Sequence, residues 1–238
     1  METMRSTPEP LEILRDIPVR LDLDQIKRKL HMEQRRDCRD LEDLVAAARS
    51  LIAGRAAFRL CYVDERYDDS VIIDRLEFTS KVLCKNLADI GRVFPFVVTI
   101  GSELEERRRG CGDLLVQFSL DVIANVALAE VRQHLQEILC ARLALTGMSF
   151  MSPGSLADWP IEQQRQLFAL LGDVQKAIGV CLTDSLLMLP SKSLSGVFFP
   201  TEVPFLSCKL CPRHNCESRK AAFDEQAARE YGLISSER

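Results

Sequence analysis

From Asp113 onward, Leu114, Phe118, Val122, Val126, Leu135 and Leu139 recur at helical spacing, a long pattern that keeps one face of a helix in a core. Such a helix needs covering, and the rest of the chain offers strands to do it. Leu11–Val19 reads as a short strand, and Ala57–Val63 and Ser70–Phe78 as two strands around the polar turn at 64–69. Val93–Ile100 is nearly all apolar and β-branched, which suits a buried strand, while Pro95 argues for an edge or a bulge. Val180–Leu189 and Ser193–Phe199 are two further strand-type runs. Shorter helical patterns open at Asp24, run through Leu41, Val45, Ala48 and Ile52 to a C-cap at Gly54, and cover Ser80–Ile90. Gly101–Arg109 has the alternating charge of a solvated helix face. Thr146–Trp159 reads as a loop, Pro160 opens a helix stopped at Gly172, and 217–231 form a last amphipathic helix. Strands and helices mix without regular βαβ alternation, so the class is α+β.

The 238 residues are 47% apolar and 28% charged, which excludes disordered and fibrous classes. Acidic residues outnumber basic ones 35 to 31, a balance that argues against a nucleic-acid binder. The longest uncharged stretch, Leu143–Ala157, holds two glycines and a proline and is no membrane span. The first ten residues lack a basic-then-apolar leader, so a cytoplasmic location is expected. The expected division is a disordered N-terminus at 1–10, one α+β domain at 11–206, and a cysteine-bearing segment with a helix at 207–238.

Six of the nine cysteines (Cys38, Cys61, Cys84, Cys111, Cys140 and Cys181) are scattered singly and read as small buried hydrophobes. Cys208, Cys211 and Cys216 differ, forming a C-x2-C-x4-C cluster. That spacing can wrap thiolates round zinc, with His214 or a distant cysteine as fourth ligand, or round an iron–sulfur cluster with one iron left open. The bland alternative is a loop of unligated thiols, with one pair oxidised. No G-x-S-x-G, Walker loop or H-E-x-x-H is present, and three histidines leave little imidazole for acid–base work.

Ser152-Pro153-Gly154-Ser155 makes a tight turn before the Pro160 helix, which ends in Leu167-Phe168-Ala169-Leu170-Leu171. Gly179-Val180-Cys181-Leu182-Thr183-Asp184-Ser185, Met188-Leu189-Pro190 and Ser193-Leu194-Ser195-Gly196 follow. In this order and spacing the segments resemble the activation domain of cobalamin-dependent methionine synthase, most specifically over 148–199. The upstream stretch Thr99-Ile100-Gly101-Ser102-Glu103-Leu104-Glu105 is similar to compact stand-alone relatives of that domain. The resemblance implies a C-shaped α+β fold that binds S-adenosylmethionine and presents it to cob(II)alamin while an electron donor reduces the cobalt. It places Met151, Ser152, Pro153, Gly154 and Phe198 at the cofactor-binding cleft.

Three positions depart from the family pattern. Phe150 stands where the family has an arginine for the donor's carboxylate, Ser155 replaces a tyrosine, and Phe198 takes the place of another tyrosine. Losing a bidentate carboxylate partner costs about 1.5–3 kcal/mol unless another group, such as Arg142, replaces it. Weak or absent S-adenosylmethionine binding is therefore expected. The resemblance implies an accessory or reactivation subunit, not catalytic alone, serving a corrinoid-dependent methyltransferase or methionine synthase that carries the cobalamin, with an electron-donor protein as further partner. The alternative is a metal- or iron–sulfur-stabilised binding module that has lost the methyl donor.

Overall fold

The computed structural model describes residues 8–33, 39–216 and 219–234. β1 (Glu12–Ile17) is followed by α1 (Leu23–Lys29) and α2 (Arg39–Arg49). The Asp22 carboxylate starts α1 by accepting from the amides of Asp24 and Gln25, donors the helix itself leaves unpaired. The chain then forms β2 (Gly54–Phe58), β3 (Cys61–Arg66), β4 (Ser70–Ile73), β5 (Leu76–Thr79), α3 (Lys81–Asn86) and β6 (Arg92–Thr99). Two helices come next, α4 (Glu103–Arg109) and α5 (Leu114–Leu143), and then β7 (Met148–Met151), α6 (Gln164–Leu171) and α7 (Val174–Ile178). A two-residue pair, β8 (Cys181–Leu182) and β9 (Met188–Leu189), precedes β10 (Ser193–Pro200), and α8 (Glu225–Glu230) is the last element.

All strand pairs are antiparallel, and β6 is the axis of the main sheet. One of its edges pairs with β10, and β10 in turn with β7. Its other edge is shared between β3, at Arg92–Val93, and β2, at Phe96–Thr99. Pro95 therefore sits in a central strand, not at an edge. The Pro95 carbonyl accepts from the Arg59 amide at 3.1 Å, so its missing N–H faces the break between β2 and β3, where no ladder bond is lost.

The same break divides the expected strand 57–63 into two. Gly54, expected to cap a helix, opens β2, where an added Cβ would lie 2.7 Å from the Ile17 carbonyl. The expected loop 146–159 contributes β7, and 180–189 folds as the β8–β9 hairpin. The last helix covers only Glu225–Glu230, and Glu217 and Ser218 fall outside the described residues.

Side chains alternate across the sheet with period two and feed separate cores. Phe58, Phe96, Val98 and Phe198 meet α1, α2 and α5 on one face. Ala57 and Val97 meet the α6–α7 region on the other, beside a cluster that joins Met151, Val197 and Phe199 to Trp159, Leu167 and Leu210. By length and composition α5 could cross a membrane, but Val122, Val126, Val131, Leu135 and Leu139 are buried in this core. The architecture is an α+β antiparallel sheet flanked by helices.

Candidate functional site

β7 ends at Met151 opposite Val197, so β10 from Ser193 to Gly196 has β6 on one side and, among the described residues, no strand on the other. The chain leaves β7 through a turn at Gly154, whose φ of +78° suits glycine and whose amide donates to the Trp159 carbonyl at 2.7 Å. Gly196 is held tighter still, for a Cβ there would lie 2.4 Å from the Met151 carbonyl. The β8–β9 hairpin lies nearby, its turn closed by the Leu187 amide donating to the Thr183 hydroxyl at 3.0 Å. Arg165 donates to the Asp184 carbonyl at 2.8 Å, and the Glu105 carboxylate accepts from the Ser191 amide at 2.9 Å. Between the hairpin, the turn and the β10 edge is a cleft of about 280 Å³.

Its rim is apolar: Ile161, Leu187 and Leu189 are 39%, 64% and 45% exposed. Its polar groups are Ser152, Gln164, Ser191 and Ser195. Gln164 is 2% exposed and donates through Nε2 to the Ser195 hydroxyl at 3.1 Å. Gln164 Oε1 and Ser152 Oγ are shut off from solvent with no hydrogen-bond partner, each a cost of about 1–3 kcal/mol. Among the described residues, no Asp, Glu, Lys, Arg or His lines the cleft.

No family model matches the chain, and no curated protein matches it. Among solved structures it is similar to the crystal structure of the MetH reactivation domain bound to AdoHcy. The TM-score is 0.59 at 14% identity, over 84% of this chain and 81% of that one. The chain has the activation-domain fold.

Within that activation-domain fold, Ser152 and Pro153 line the cleft, and Gly154 lies in the turn beside it. Met151 and Phe198 do not line it. Met151 is register partner to Val197 and Phe198 to Phe150, so the two point to opposite faces, each buried in a different core. Phe198 stacks on Phe96 with centroids 4.1 Å apart, and Phe150 meets both edge-on. The Arg132 guanidinium lies 4.7 Å over the Phe150 ring, and burial lowers its pKa. Arg142, the suggested carboxylate partner, pairs instead with Glu12 at 2.7 Å. Sequence reasoning missed Gln164 and the Leu186–Leu187 tip. The available signal was a polar residue three and seven positions before the buried Leu167 and Leu171 of α6.

The cysteine segment is built round an arginine. Arg219 donates to the carbonyls of Cys208 (3.2 Å), Cys211 (3.1 Å), Ala221 (2.9 Å) and Arg213. Cys211 packs partly into the core beside Leu210, and the Lys220 amide donates to Cys208 Sγ at 3.4 Å. Among the described residues, no three His, Cys, Asp or Glu side chains form a group that could hold a metal ion. Cys208, Cys211 and Cys216 lie half-buried along this one segment. Of the scattered cysteines, Cys61 and Cys84 are buried, while Cys38 lies outside the described residues. Burial first, then the Asp158 and Asp69 charges, pushes the Cys84 thiol up to about 11, and burial raises Cys61 as well, so neither is a ready nucleophile.

Proposed function

We propose that this chain is an accessory subunit of activation-domain type that supports reductive remethylation of a corrinoid held by a partner methyltransferase. The observation that carries the reading is the activation-domain fold shared over 84% of the chain. An apolar-rimmed cleft beside the Ser152–Pro153 turn adds to it, since a contiguous exposed apolar concavity is a feature of ligand and partner sites. Whether S-adenosylmethionine suits the cleft can be judged from the side chains present. An apolar wall and hydroxyl groups suit its nucleoside, but among the described residues lining the cleft no cation meets its carboxylate and no anion its ammonium or sulfonium. The residues do not fit the whole methyl donor, and we assign no step to it here.

The test is association. Gel filtration with a corrinoid-dependent methyltransferase, in the cob(II)alamin and methylated states, is expected to show a complex that favours cob(II)alamin. No complex in either state would overturn the reading. The edge-on packing of half-buried Phe150 against buried Phe198 favours a second reading, a binding module without a methyl donor. A complex indifferent to cobalt state would support that one.

A further inference from the structure

Between β10 and α8 the chain makes one short 3₁₀ turn, Ser207–Leu210, closed by the Cys211 amide donating to the Cys208 carbonyl at 3.3 Å. A 3₁₀ turn takes three residues and rises about 2.0 Å for each, so the side chains of positions i and i+3 lie one above the other. Cys208 and Cys211 occupy two such positions, and three rises set their Cα atoms about 6 Å apart. A disulfide spans about 4.4–6.8 Å between Cα atoms, so this pair can close without moving the backbone. Both are free thiols and half-buried. The surroundings hold the turn in place. Arg219 donates to both cysteine carbonyls, at 3.2 and 3.1 Å, and the Asp224 amide donates to the Lys209 carbonyl at 2.8 Å. Cys211 packs against the core beside Leu210, whereas Cys208 Sγ accepts from the amide of exposed Lys220 at 3.4 Å. A reagent arriving from solvent therefore meets Cys208 first. Cys216 lies beyond the turn.

We propose that Cys208 and Cys211 are a reversible dithiol–disulfide pair, oxidised by exchange with a low-molecular-weight disulfide. The Cys208 thiolate attacks one sulfur of the incoming disulfide, whose S–S bond breaks and whose far sulfur leaves as a thiolate. The Cys211 thiolate then displaces the remaining reagent sulfur from Cys208 and closes the Cys208–Cys211 bond. Two electrons pass from the protein to the reagent, which departs as two thiols carrying the two protons. The new bond locks the turn to which α8 is tied through Asp224. Neither a corrinoid nor a methyl donor enters this chemistry.

The experiment equilibrates the full chain in glutathione buffers of stepped reduced-to-oxidised ratio, traps the remaining thiols by alkylation and maps the peptides by mass spectrometry. Trypsin cuts after Lys209, so the disulfide is read as two peptides that stay joined until reduction. The expected result is one transition confined to Cys208 and Cys211, reversed by dithiothreitol, with NMR amide shifts at Lys209, Leu210 and Asp224. Cys216→Ser is expected to move the midpoint ratio by less than about threefold, and Cys211→Ser to stop at a glutathione adduct on Cys208. Thiols that stay reduced across the whole series would overturn the proposal. So would a bond to Cys216 as the main product, or zinc or iron held stoichiometrically at these thiols in the purified chain.

Discussion

At the scale of single residues, a few buried polar groups hold the site's frame. Glu105, 7% exposed, accepts from the Ser191 amide and pairs with Arg109. Burial pushes its carboxyl up, but the Ser191 hydrogen bonds and the Arg109 charge outweigh this, so its pKa is lowered. A carboxyl depressed in the folded state stabilises above its unfolded value, about 4.3, and that stability is lost as pH falls through the lower folded value. Glu105→Gln is expected to cost about 1–3 kcal/mol at neutral pH, with the gap to the parent closing below about pH 4 in urea titrations. Half-buried Asp158 accepts from the Ser80 hydroxyl at 2.5 Å and the Val82 amide at 3.0 Å at the start of α3. Asp158→Ala is expected to lower stability by about 1–3 kcal/mol, read from the urea midpoint at unchanged slope.

At the scale of elements, the crossing of β10 with the end of β7 decides where the cleft opens. A Cβ on Gly196 would collide with backbone, which cannot move as a flexible side-chain tip can. Gly196→Ala is therefore expected to lose more than about 2 kcal/mol and to shift the amides of Met151 and Ser152 in NMR spectra. The Ser-x-Ser-Gly pattern was legible in the sequence, but the reason for its glycine was not, because the partner carbonyl is 45 positions away. The C-terminal segment follows a similar logic. Arg219, with its several carbonyl partners, gives 208–213 a shape that cysteine spacing alone does not specify. Arg219→Ala is expected to speed amide exchange at Lys209 and Cys211 at least about tenfold while β6 stays protected.

At the scale of the whole molecule, the sequence by itself determined the α+β class, the long core helix, and the turn-and-strand order that resembles the activation domain. These features are local or ordered along the chain: hydrophobic period, caps and glycine turns act over a few residues. The tertiary structure alone decided pairing and facing. Pro95 reads as an edge signal until the β2–β3 break puts its missing donor where none is needed. Met151 and Phe198 read as neighbours of one cleft until the register sends them to opposite faces, a distinction of one residue in a strand. Gln164 meets Ser195, 31 positions on, only because α6 packs against β10. Each of these depends on contacts between distant segments, whose register is set by how three separate cores pack against one sheet.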